Sequence, residues 1–167
     1  PLAQTVAAYQ ARARRGAMID YAFHITVTDP AVAGFRDDLA MLIKAGHRSL
    51  KLFTTYNIKL EDDQILAVMA EARAHGALVC VHAETDAILS HARESLIAAG
   101  RSRPRDHAAS HPRLAEIDAV ERMCRFAAYL DQPVMLFHIS TTEGAAAMRK
   151  ARAEGAPVWA ETCPHYL

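Results

Sequence analysis

Three side chains in this sequence are of types that could act together on a metal ion. Lys51 lies in the apolar run Ser49-Leu50-Lys51-Leu52-Phe53, His82 closes Val79-Cys80-Val81-His82, and His138 closes Met135-Leu136-Phe137-His138. Imidazole nitrogen is a common ligand of divalent cations. A lysine inside an apolar strand must reach water, pair with a carboxylate or give up its charge, because burying an ammonium is costly. A neutral amine can add to carbon dioxide, and the resulting carbamate is an anionic oxygen ligand able to bridge two cations. Each residue alone also has a plain structural reading. A histidine at a strand end is commonly just hydrogen-bonded, and a strand lysine commonly points to solvent. It is their recurrence along successive strands that points to metal chemistry.

The elements that must position them alternate along the chain. Leu2 to Arg15 reads as a helix stopped by Gly16, and Met18 to Val27 as an apolar strand followed by a turn at Asp29-Pro30. Phe35, Leu39, Leu42 and Ile43 recur at helical spacing before Gly46. Ser49 to Phe53 is a second strand. The next helix opens at Glu61-Asp62-Asp63, where acidic residues suit the positive end of its dipole; it turns Ile65, Leu66 and Met69 inward and stops at Gly76. Strands follow at Ala77 to Val81, Pro133 to Phe137 and Val158 to Glu161, with a helix from Thr141-Thr142 to Gly155 before the last. A further helix follows His82, and another carries Ile117, Val120 and Cys124. Between these two, Gly100 to Leu114 reads as a long irregular section, a lid, an interface arm or a surface loop.

Short buried strands separated by amphipathic helices imply a parallel α/β sheet. An open doubly wound sheet and a (β/α)8 barrel both fit that alternation. No G-x-G-x-x-G or P-loop sequence follows a strand, and the polar residues at the strand ends favour the barrel, whose active face lies there.

Bulk properties narrow the function. The 167 residues are 51% hydrophobic and 23% charged, enough for one domain with a core. Nineteen basic and nineteen acidic residues cancel, so nothing calls for nucleic acid or an anionic membrane as partner. No run approaches the ~18 apolar residues of a membrane span. Three widely spaced cysteines without a C-x-x-C pair predict free thiols and a reducing, cytoplasmic setting.

Five segments together resemble the hydantoinase/dihydropyrimidinase family of metal-dependent amidohydrolases, in the family's order and across nearly the whole chain. They are Asp20-Tyr21-Ala22-Phe23-His24, Ser49 to Tyr56, Val81-His82-Ala83-Glu84, Phe137-His138-Ile139-Ser140 and Ala160 to Leu167. The resemblance implies a (β/α)8 barrel that hydrolyses a small cyclic amide or imide, with two divalent metal ions, zinc foremost, bridged by carboxylated Lys51. His82 and His138 would be ligands of the second metal. Tyr56 would donate its hydroxyl to the oxyanion, and Phe53 would lie near the pocket for the exocyclic substituent. His24, His47, His75, His91, His107, His111 and His165 match no ligand position and read as structural or exposed. Ser110-His111-Pro112 departs from the family's Ser-Arg-Pro, which puts a local loop or interface contact in question. A cytoplasmic homotetramer is the assembly the resemblance implies.

Two parts of the family's site are missing. No H-x-H pair occurs anywhere, and no aspartate matches the one at the end of the last barrel strand. A full barrel needs about 250 residues, so five strands predict a single partial barrel domain over residues 1–167, without the first and last barrel strands and belonging to a longer chain. Alone, such a half-site is expected to bind metal weakly and to be inactive, and its open strand edges favour association. Allantoinase, dihydroorotase and a non-catalytic assembly protein of the same fold are the competing readings. Tyr56 favours the hydantoinase branch, and the three ligand-type residues speak against the scaffold.

Overall fold

A computed structural model describes residues 2–166; Leu167, the last residue of the fifth motif, lies outside the described residues. Six helices and five strands follow one another as α1 (Leu2–Gly16), β1 (Ile25–Thr26), α2 (Phe35–Lys44), β2 (Ser49–Phe53), α3 (Asp62–His75), β3 (Leu78–His82), α4 (Asp86–Ala98), α5 (Arg113–Leu130), β4 (Val134–Leu136), α6 (Thr142–Ala153) and β5 (Val158–Ala160). All strand pairs are parallel, and the spatial order β1-β2-β3-β4-β5 is the order in sequence. A doubly wound sheet reverses its order at a switch point, whereas a barrel keeps going round. The fold is therefore a five-stranded arc of a (β/α)8-type barrel.

The register sorts side chains onto two faces. Leu50 and Leu52 pair with Val79 and Val81, which pair with Val134 and Leu136. All six, with Val158, are wholly buried beneath the helices. The alternate residues, Lys51, Phe53, Cys80, His82, Met135, Phe137 and Trp159, share the opposite, inner face. That face is only partly covered, because five strands do not close round it.

Helix boundaries follow the chemistry. On α2 the buried residues are Phe35, Leu39, Leu42 and Ile43, the periodic set. On α3 they are Ile65, Val68, Met69 and Ala72, with Leu66 only half-buried, so the inward stripe lies slightly round from the expected one. Gln64 accepts the Glu61 backbone N–H at 3.0 Å to open α3, and Gly76 at φ 73° closes it. On α5, Ile117 is half-buried beside the fully buried Val120 and Met123. The section before α5 is less irregular than its composition predicts: 3-10 turns cover Pro104–Asp106 and Ala108–Ser110.

Three strands are shorter than expected, β5 by its last residue alone. Ile25 lies opposite Leu50, so residues 18–23 overrun the start of β2 and have no strand to pair with. Met18 and Ile19 are accordingly exposed. The regular β4 ends at Leu136 because the chain changes direction at His138.

No helix among the described residues is long and apolar enough to cross a membrane. Cys80, Cys124 and Cys163 are all free thiols. Burial pushes the Cys124 thiol up to about 11, so it stays protonated at pH 8. Native protein is expected to show no alkylation of Cys124 by iodoacetamide at pH 8, read by mass spectrometry; rapid labelling there would show that α5 and α6 part easily.

Candidate metal centre

Lys51 sits at the middle of β2 with its side chain on the inner face. Its amine is buried and has no hydrogen-bond partner; it lies 3.7 Å from the Phe137 ring centre and 5.0 Å from that of Phe53. Desolvation lowers its pKa from 10.5 to about 8, although Cys80 and Glu161 pull the other way. A sizeable fraction is thus the neutral amine near physiological pH, the form that reacts with carbon dioxide.

His82, at the carboxyl end of β3, faces His138 across the strand gap, with His82 Nδ1 and His138 Nε2 2.8 Å apart. The other ring nitrogen of His82 lies 2.7 Å from Glu84 Oε2. With His82 Nε2–H donating to Glu84, the lone pair at Nδ1 accepts from His138 Nε2–H. Burial works to raise the Glu84 pKa, but the hydrogen bond and charge of His82 outweigh it and keep the carboxyl below its ordinary range. His138 is pushed down by desolvation, and then by His82 and Lys51 nearby, so its imidazole favours the neutral, ligating form.

His138 reaches this place by breaking the strand pattern. In a regular strand it would share a face with Val134 and Leu136 and point beneath the helices. Instead Glu161 donates to the Leu136 carbonyl at 3.0 Å, and the next donor back to Glu161 is Ile139, at 2.8 Å. His138 is the extra residue of a bulge, at φ 44°. A left-handed non-glycine residue costs roughly 1–2 kcal/mol, so surrounding contacts must hold it.

Tyr56 is a second such residue, at φ 71°. Its ring lies 5.0 Å from that of His82 and 6.3 Å from that of Phe53, which stacks on His82 at 5.6 Å. The Tyr56 turn is pinned from α4: Asp86 accepts the Thr55 hydroxyl and the Lys59 amine, each at 2.9 Å. Burial raises the Asp86 pKa, but these bonds outweigh it and hold the carboxyl low. Asp86→Ala is expected to lower stability by about 1–2 kcal/mol, read from the urea midpoint, and to make the Tyr56 amide exchange faster with solvent. Unchanged exchange would show that the turn holds itself.

Tyr56, His82, Glu84, His111, Glu116 and His138 border one open cleft of about 440 Å³ at the carboxyl ends of the strands. Three of these were not foreseen as site residues. Glu84 had a signal, a carboxylate two residues past a strand-end histidine. Glu116 had none, since it comes from the first turn of α5. The exposed His107 and the half-buried His111 also line the cleft, because the turns after α4 fold back over it. The departure at Ser110-His111-Pro112 therefore falls on the cleft wall.

The side chains suit a cation in part. The facing histidine nitrogens and the orphaned lysine amine are the donor types required, though two nitrogens on one tetrahedral cation lie roughly 3.3 Å apart at ordinary bond lengths. The pair would have to spread by a few tenths of an ångström. Among the described residues, no three His, Cys, Asp or Glu side chains form a cage by themselves.

Fold and site define a partial (β/α)8 barrel with a polar, ligand-type cluster on its carboxyl-end face. No family model matches the chain. It is 39% identical over 160 residues to the D-phenylhydantoinase of Escherichia coli O1:K1, covering 95% of this chain and 34% of that protein. It superposes on D-hydantoinase from Bacillus sp. AR9 with a TM-score of 0.95 at 31% identity, over 100% of this chain and 37% of that one. The corresponding values for dihydropyrimidinase from Brevibacillus agri NCHU1002 are 0.94 and 32%, over 99% and 36%. Over nearly its whole length the chain is similar to hydantoinases and dihydropyrimidinases, and it spans about a third of the length of the relatives it matches.

Proposed function

We propose that this chain supplies part of the active site of a metal-dependent hydrolase that opens a cyclic amide or imide ring of the dihydropyrimidine or hydantoin type. The observation that carries the reading is the meeting of His82, His138 and Tyr56 on one cleft, with the desolvated amine of Lys51 beside them. Residues 1–167 are one domain segment of a longer barrel, a reading supported by the five-stranded arc that leaves its inner face only partly covered and by the share of the relatives' length that is matched.

Lys51, as its carbamate, would hold two divalent cations, zinc by its fit to imidazole ligands, and His82 and His138 would hold one of them. The ions, when bound, supply an activated water and polarise the substrate carbonyl. The carbamate forms when the neutral amine attacks carbon dioxide and releases one proton. Glu84 keeps His82 in the tautomer whose Nδ1 carries the lone pair, the one a cation would take in place of the His138 contact. Tyr56 donates its hydroxyl to the oxygen of the attacked carbonyl as negative charge develops there. Phe53 and Phe137 cover the site below and keep water from the lysine. A cytoplasmic homotetramer is the assembly this reading carries with it.

The test is ring opening of 5,6-dihydrouracil and hydantoin by the protein with its complete barrel, with and without a chelator. Chelator-sensitive hydrolysis is expected. A folded, metal-loaded protein that leaves both rings intact but opens dihydroorotate or allantoin would move the assignment to those activities, and no hydrolysis at all would favour an assembly role.

A further inference from the structure

Glu116 is the most heavily engaged carboxylate near the cleft. It is buried on the first turn of α5, and its two oxygens accept from four donors in the segment just after His138. Ser140 N–H lies at 3.0 and 3.2 Å, Ser140 Oγ at 2.7 Å, Thr141 N–H at 2.8 Å and Thr141 Oγ1 at 2.6 Å. Thr141 in turn caps α6 by accepting the Gly144 N–H at 3.0 Å. Space is kept for this arrangement at Gly144, where a Cβ would lie 2.8 Å from Thr141 Oγ1 and 3.1 Å from Glu116 Oε1.

We propose that Glu116 is a positioning residue for His138. Beyond Leu136 the Phe137 N–H still bonds Val81 on one side, and the next bond to β5 is made by Ile139, which donates to Glu161. Unrestrained, the segment could relax towards a regular strand, and restored alternation would carry the imidazole away from His82. A carboxylate suits the start of α6, where free N–H groups and the helix dipole favour negative charge. By fixing Ser140 and Thr141, it fixes the direction from which the chain leaves His138, and hence the strained φ that aims its ring. Glutamine is nearly the same shape, but it would present an amide NH₂ to hydrogen-bond donors. It could not satisfy all four.

The consequence for metal binding rests on the proposed role of His138 as a ligand; the positioning itself does not. In metal-free protein at pH 7.5, Glu116→Gln is expected to shift the His138 ring ¹⁵N and ¹H resonances and weaken their through-space contact with His82. Zinc affinity, measured by competition with a chromogenic chelator, is expected to fall about 10–100-fold, the usual scale for outer partners of metal ligands. If Glu116→Gln does not fold, Ser140→Ala removes a single hydroxyl donor and is expected to move the same resonances less. Lowered thermal stability with unmoved His138 and His82 resonances in a folded variant would overturn the proposal. A wild-type protein with its complete barrel that binds no zinc, with the His138 ring still displaced in Glu116→Gln, would overturn the metal assignment and support the clamp.

Discussion

Lys51→Met is expected to abolish retention of divalent cations while leaving the protein folded, and to remove a pH dependence of stability that the native protein has. Methionine keeps the length and apolar stem of lysine but cannot form a carbamate, so the group proposed to join the two cations is gone. Metal content by elemental analysis after dialysis is the readout, and native stoichiometry in the variant would remove Lys51 from the site. The second effect is read in metal-free buffer purged of carbon dioxide. The unfolded chain keeps the Lys51 proton up to about pH 10.5, the folded protein only to about 8. Between those values the unfolded state binds more protons, so native stability rises with pH; below 8 the full penalty of the buried ammonium is present. A shift of this size corresponds to roughly 3 kcal/mol, less whatever the Phe137 ring face returns to the cation at 3.7 Å. Lys51→Met is therefore expected to be the more stable protein in urea at pH 7 and to lose much of that advantage by pH 10. Parallel pH curves for the two proteins would show that the lysine reaches water.

Tyr56→Phe is expected to lower turnover by about 10²–10³ in the complete enzyme, with metal content unchanged. The phenol has the properties of a donor. Burial, then the neighbouring carboxylate of Glu84, then Tyr166 raise its pKa, so it remains protonated through the neutral range. It is held at φ 71° by a turn that α4 anchors, and its ring lies 5.0 Å from the His82 ring on the wall of the cleft. Phenylalanine keeps the ring contacts and deletes one hydroxyl. Turnover within a few-fold of native would exclude the hydroxyl from stabilising developing charge. A parallel loss of metal would instead give Tyr56 a structural role.

Much of this protein can be read along the chain, for reasons that differ by element. Helices α2 and α3 are legible because their apolar residues repeat at the helical period and their stops are glycines in the left-handed region, as at Gly76. The strand Ser49–Phe53 is legible because its outer face is uniformly apolar, which makes the one lysine conspicuous. Met18 to Phe23 misleads because an apolar run predicts a strand only where a neighbour is present to bond it, and β2 begins too late. That His107 and His111 border the cleft is not legible, because it depends on how two short turns pack, which no local pattern encodes.

Residue type and spacing by themselves determined the parallel α/β class and singled out Lys51, His82 and His138 as residues of ligand type, because strand alternation and helical periodicity are local and the chemistry of a side chain travels with it; the donor role of Tyr56 came from the family resemblance alone. Only the tertiary structure decided which of those groups meet. Strict alternation would turn His138 beneath the helices. It faces His82 because a bulge reverses its side, and that bulge adjoins a segment held by a carboxylate from a helix 24 residues away in sequence. Such a contact depends on packing between elements, and packing leaves no periodic trace in the chain.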